Sequence, residues 1–206
     1  MKTHSLVIGL ICSSAFFFAS RCTERTHEMQ PTAASISSTD FGGYDSPEKW
    51  GQHLVTIGGC NDCHTPKKMT EHGLELDSSL TLSGHPEKLP PPDVNRKETE
   101  AKGLIVTNDL TTWAGPWGVS FAANLTPDPS GLGNWKEENF FMAIREGKFK
   151  GISNSRPLLP PMPWQMLRNM SDNELKAIFA YLKSIPPVKN QVPEFLPPVS
   201  SPSPAK

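Results

Sequence analysis

Cysteine is scarce in this chain. Of four in 206 residues, only Cys60 and Cys63 lie beyond residue 22. That scarcity excludes a disulfide framework as the main support of a folded domain. A dominant charge is also missing: 20 Lys and Arg against 21 Asp and Glu give a formal net charge of −1. No strong field therefore marks nucleic acid or a membrane surface as the partner. No apolar run reaches the ~20 residues that a membrane-spanning helix needs. The longest, "LVIGLICSSAFFFAS" after Lys2, has an apolar core of about 14 residues and reads as a secretory signal. No convincing run of alternating apolar and polar residues marks a strand, and no phosphate loop or Ser-His-Asp pattern is present. Proline, by contrast, is plentiful at 21 residues, about twice average usage. These features favour a mainly α domain of short helices and long loops.

Four segments follow along the chain. Residues 1–22 form the signal and 23–45 a Ser- and Thr-rich flexible tether; 46–187 form the folded domain, and 188–206 a Pro- and Ser-rich tail. The stretch Phe18-Ala19-Ser20-Arg21-Cys22 is similar to a bacterial lipoprotein box, although Arg21 stands where a small residue is expected. Two outcomes stay open there: lipidation of Cys22, which would anchor an exported protein to the membrane, or no lipidation, with ordinary cleavage nearby or a cysteine that merely ends the apolar core. Either way the expected location is the bacterial envelope, periplasmic or membrane-anchored.

Inside the domain three helices are legible. Ser46 with Pro47 opens the first, which carries Trp50, Leu54, Val55 and Ile57 toward Gly58-Gly59. The second is expected from Asn134, with Glu137 three residues on and Phe140, Phe141 and Ile144 on one face before Gly147. Ser171 and Glu174 form a capping box for the third, with Met170 and Leu175 at the staple positions; Pro186-Pro187 ends it. Residues 73–123, rich in Pro, Gly and Thr, read as loops over one face.

The first helix delivers the chain to "CNDCH" at 60–64. Cys-x-x-Cys-His is the pattern for covalent attachment of one haem c. Two thiols one helical turn apart can each add to a vinyl group on the same porphyrin edge, and His64 then offers its imidazole to the iron. Zinc would want four Cys or His ligands, and no second cysteine pair exists. A redox dithiol would need a βαβ setting, and a plain disulfide would leave His64 without a role. For the opposite axial position the methionines after the motif are Met69, Met142, Met162, Met166 and Met170. Met162 stands in "RPLLPPMPW", where neighbouring prolines restrict the backbone and hold a sulfur in place at small entropic cost. It is the favoured ligand. Trp135 and Arg156, and with them Trp164 and Asn124, are candidates for contact with the haem or its propionates. His53, His72 and His85 read as surface residues; a loop histidine would matter only by displacing Met162.

The order of helix, "GGCNDCHTPK", "NLTPDPSGLGNW", "RPLLPPMPW" and capped terminal helix with "FAYLKSIPPV" resembles a bacterial class I c-type cytochrome over residues 46–187. The resemblance implies a fold wrapped around one covalently bound haem, with His64 and Met162 as axial ligands and the first and last helices crossing near the haem edge. It implies an electron carrier or electron-transfer subunit in place of an enzyme. Its partners would be redox proteins, with a dehydrogenase or quinol-oxidising complex as donor and an oxidase or another cytochrome as acceptor. The rival is a haem enzyme or small-ligand sensor with an open or labile sixth position.

Overall fold

The computed structural model describes residues 41–199. The signal, Cys22, most of the tether and the end of the tail lie outside the described residues. Helix α1 spans Pro47–Ile57 and starts as its sequence dictates. Ser46 caps it by accepting from the Lys49 N–H at 3.3 Å, and Pro47 supplies a preset first turn. Its buried positions Gly51, Leu54 and Val55 share one face. Helix α6, Asp172–Ser184, has the expected box: the Ser171 N–H donates to Glu174 Oε2 at 2.7 Å while Ser171 Oγ accepts from Glu174 N–H at 3.3 Å. Leu175, Ala177, Ile178 and Leu182 are its buried face. The two helices pack against each other. At the crossing Gly51 lies so close to α6 that a β-carbon there would sit 1.9 Å from the Ala177 carbonyl oxygen.

Between them stand α2 (Cys60–His64), α3 (Arg96–Ala101), α4 (Glu137–Glu146) and α5 (Trp164–Leu167). Helix α4 begins later than its sequence suggests. Asn139, not Glu137, makes the cap contact, accepting from the Lys136 N–H at 3.0 Å. Trp135 N–H instead closes a turn onto Leu132.

The mainly α expectation needs correcting, because the described residues also hold two antiparallel hairpins. β1 (Lys67–Thr70) pairs with β2 (Gly73–Leu76), and β3 (Thr112–Gly115) with β4 (Gly118–Phe121). Both escape a periodicity reading for physical reasons. Four residues are too few for alternation to register, and all four of β3 are buried, so neither of its faces reads as polar. The stretch read as loops, 73–123, thus contains β2, α3, β3 and β4.

The tail also belongs to the body as far as it is described. Leu196 exchanges backbone hydrogen bonds with Val119 of β4 at 2.8 and 3.0 Å. The Asn190 amide donates to the carbonyls of Ser83 and His85 at 2.7 and 2.8 Å. Gly118 allows the docking: its φ is +99°, and a β-carbon would lie 2.1 Å from the Leu196 carbonyl oxygen.

The helix crossing gives a test with a diagnostic sign. At an ordinary helix interior Gly→Ala stabilises by about 1 kcal/mol. Gly51→Ala should instead destabilise by about 1–3 kcal/mol, because the new methyl meets fixed backbone. Urea unfolding measures this, and a raised midpoint would contradict the close crossing.

Candidate functional site

Leu54, Val55, Leu132, Phe140, Ile144 and Leu182 belong to one apolar core cluster. They line a largely apolar cavity of about 330 Å³. That size falls within the roughly 300–1,000 Å³ of small-molecule and cofactor sites. Cys60, Cys63, His64 and Met162 all line the same cavity, as do Trp135 and Arg156.

Local sequence explains the placement of the first three. Helix α1 ends where Gly58 and Gly59 N–H groups bond back to Leu54 and Thr56, and Gly59, with φ +66°, turns the chain into α2. One turn of α2 then separates Cys60 from Cys63 and brings both to one side. Both are free thiols. Burial pushes the Cys60 thiol up to about 11 and raises that of Cys63 as well. They therefore stand as neutral thiols near neutrality. Among the described residues no three His, Cys, Asp or Glu side chains gather as a metal site.

His64 is buried, and its Nδ1 lies 2.8 Å from the Ala123 carbonyl oxygen. A carbonyl only accepts, so Nδ1 carries the proton and Nε2 keeps the lone pair. Burial lowers the tendency of this imidazole to charge, outweighing the Ala123 hydrogen bond that favours the charged form. A neutral imidazole with its tautomer fixed by a backbone carbonyl is a ready metal ligand. The donor set therefore fits a haem c: two neutral thiols, one oriented imidazole and a thioether around an apolar space.

Of the five methionines, Met162 and Met170 line the cavity. Met69 and Met166 are exposed at 77% and 73%, and Met142 sits on the outer side of α4. Met170 also packs against the core beside Leu175, where its staple position puts it. Arg156 lies between two aromatic faces, 3.7 Å from the Phe149 ring centre and 4.7 Å from that of Phe195. Its Nη1 donates to the Pro157 carbonyl at 3.0 Å.

Three other residues are engaged in different roles. Trp164 does not line the cavity; its indole covers Gly147, at the end of α4. The Asn124 side chain lines the cavity, but its amide is taken up in binding loop to tail. Nδ2 donates to the Val188 carbonyl at 2.9 Å, and Oδ1 accepts from Thr126 N–H and Oγ1 at 2.9 and 2.8 Å. His85, read as a surface residue, is 0% exposed. Its Nε2 donates to the Leu89 carbonyl at 2.9 Å, and its Nδ1 is 2.7 Å from Thr111 Oγ1, beside Asp109. With both ring nitrogens engaged, His85 is a structural peg of the 73–123 region and no rival ligand. Sequence reasoning misses Ala123, Phe195 and Ser120. The first acts through its backbone, and the others are hidden in segments that read as tail and loop.

No family model matches the chain. It is similar to the cytochrome c subunit of the quinone-dependent alcohol dehydrogenase of Gluconobacter oxydans, with 32% identity over 82% of this chain and 29% of the relative. It is also similar to the gluconate 2-dehydrogenase cytochrome c subunit of Pantoea cypripedii, with 35% identity over 73% of this chain and 26% of the relative. A nicotinate dehydrogenase subunit of Pseudomonas putida is 38% identical over 38% of this chain and 6% of that protein. The chain thus spans less than a third of the length of these curated relatives.

Burial of His85 sets a pH dependence. Its imidazole titrates below the ordinary range of about 6.5, because burial outweighs the favourable Leu89 and Asp109 contacts. As pH falls through about 6.5 the unfolded chain binds this proton before the folded one does, so stability is full above that pH and declines below it. Urea unfolding between pH 8 and 5 should show the decline, and His85→Phe should flatten it. Identical slopes for both proteins would contradict the assignment.

Proposed function

This chain belongs with the c-type cytochromes, and from that premise we propose that it is a monohaem electron-transfer protein of class I type. Haem c would be bound through Cys60 and Cys63 and ligated by His64 and Met162. One observation carries the reading: two neutral thiols, an oriented imidazole and a loop methionine all face a single apolar cavity. When bound, the haem supplies one-electron oxidation and reduction.

The chain's own residues set the conditions for it. Cys60 and Cys63 would form the thioether links, and the Ala123 carbonyl would keep the His64 Nε2 lone pair directed to the metal. Met162 would hold the group through its thioether sulfur, a ligand type that raises the potential. The apolar wall of Leu54, Val55, Leu132, Phe140 and Ile144 would exclude water and so favour the less charged redox state. Trp135 and Arg156 on the same wall would contact the haem or its propionates. With His64 and Met162 both holding the group, no substrate would have to reach the metal, which would fit an electron carrier or electron-transfer subunit better than an enzyme.

Two of the relatives are the cytochrome c subunits of an alcohol and a gluconate dehydrogenase. By that likeness a dehydrogenase is the proposed electron donor, with an oxidase or another cytochrome as acceptor, in the bacterial envelope. No helix among the described residues is long and apolar enough to cross a membrane. Lipidation at Cys22 would supply an anchor.

Two variants test the site. In protein from a host competent for cytochrome maturation, Cys60→Ser with Cys63→Ser should abolish haem that survives denaturing electrophoresis; retained haem would refute the attachment. Met162→Ala should remove the sulfur-to-iron charge-transfer band of the ferric protein and let carbon monoxide bind the ferrous form rapidly. A wild type that is already high-spin and binds carbon monoxide at once would favour a sensor or enzyme.

A further inference from the structure

The segment 159–163 reads Leu-Pro-Pro-Met-Pro. Three of its five residues lack an N–H, so the stretch carrying Met162 can donate little to the rest of the protein. Met162 N–H bonds only locally, to the Leu159 carbonyl at 3.3 Å. Any anchor from a distant element must therefore come to it, as a donor reaching a carbonyl. Among the described residues one side chain does this. Ser120 of β4 donates its hydroxyl to the Pro160 carbonyl at 2.6 Å, across a chain separation of 40 residues.

The donor is itself held. Ser120 is buried, and the Trp117 indole Nε1–H donates to its Oγ at 3.1 Å. That contact occupies an oxygen lone pair and leaves the hydroxyl proton for Pro160. β4 is paired on one side to β3 and on the other to Leu196 of the tail. Pro160, Ser120 and Phe195 all line the cavity. The β3–β4 hairpin is thus a rigid strut between the tail and the methionine loop.

We propose that Ser120, oriented by Trp117, is a positioning residue that holds the Met162 loop closed against the cavity and so governs how readily the sulfur leaves the metal. This rests on the reading that Met162 is an axial ligand. Release of Met162 requires the loop to swing out, which breaks the Ser120–Pro160 bond. Without that bond, release should be easier by about fivefold, the factor corresponding to a hydrogen bond of ordinary net strength.

The test uses full-length, haem-loaded protein and exogenous imidazole as a competitor for the sulfur's position. Ser120→Ala should keep its covalent haem while the ferric form binds imidazole about fivefold more tightly than wild type. Amide exchange at Met162 should speed up by a similar factor, and Ser120→Thr, which keeps the hydroxyl, should restore both values. Trp117→Phe should shift imidazole affinity about twofold in the same direction, and it decides the matter alone if Ser120→Ala does not accumulate. Wild-type protein that shows the charge-transfer band, with imidazole affinity unchanged in both variants, overturns this proposal and leaves Met162 ligation standing. A wild type lacking the band overturns the ligation and this proposal together.

Discussion

The hydrogen bond from His64 Nδ1 to the Ala123 carbonyl is the constraint on which the rest of the molecule depends. It joins the short helix bearing both thiols to the end of the 73–123 region. It also fixes which imidazole nitrogen keeps its lone pair. Nearby, Gly84 N–H donates to the His64 carbonyl at 2.7 Å, and His85 N–H to that of Ala122 at 2.9 Å. The backbone around His64 is therefore clamped from two directions. An imidazole held this way would need little reorganisation if the charge at a bound metal changed, as the proposed electron transfer would require.

A second constraint acts on the opposite wall. The proline-rich segment around Met162 has few backbone donors, so its position is set from outside. The Leu158 N–H reaches Gly147 at the end of α4, and Ser120 reaches Pro160 from the hairpin. Arg156 sits between Phe149 and Phe195 just before the segment begins. Residues far apart in sequence, from 120, 147 and 195, thus converge on one loop. The 73–123 region and the tail gain a common purpose: together they brace the side of the cavity that carries the methionine.

Much of the molecule is legible in residue order alone. The Cys-x-x-Cys-His spacing is dictated by chemistry on one helical turn. The caps at Ser46 and Ser171 are local hydrogen bonds that follow from neighbouring residues. Met162 stands out because its prolines stiffen the backbone whatever the tertiary setting. What stays hidden depends on distant contacts. The burial of His85 follows from Thr111 and Leu89 closing over it, and β3 hides its strand character because both its faces are covered. Asn190 and Phe195 resemble parts of a loose tail, since nothing local reveals that Leu196 pairs with Val119. The start of α4 is displaced from its sequence signal because Asn139, not Glu137, reaches back to the first free N–H.

The chain covers less than a third of each dehydrogenase cytochrome subunit it resembles, so a single folded unit here aligns with only a part of each. The central claim for that unit is an iron held between the His64 nitrogen and the Met162 sulfur within one apolar cavity. X-ray absorption at the iron edge of the purified, oxidised protein tests it most directly. Five nitrogen neighbours and one sulfur are expected around the iron. Six nitrogens, or five neighbours with no sulfur, would contradict it.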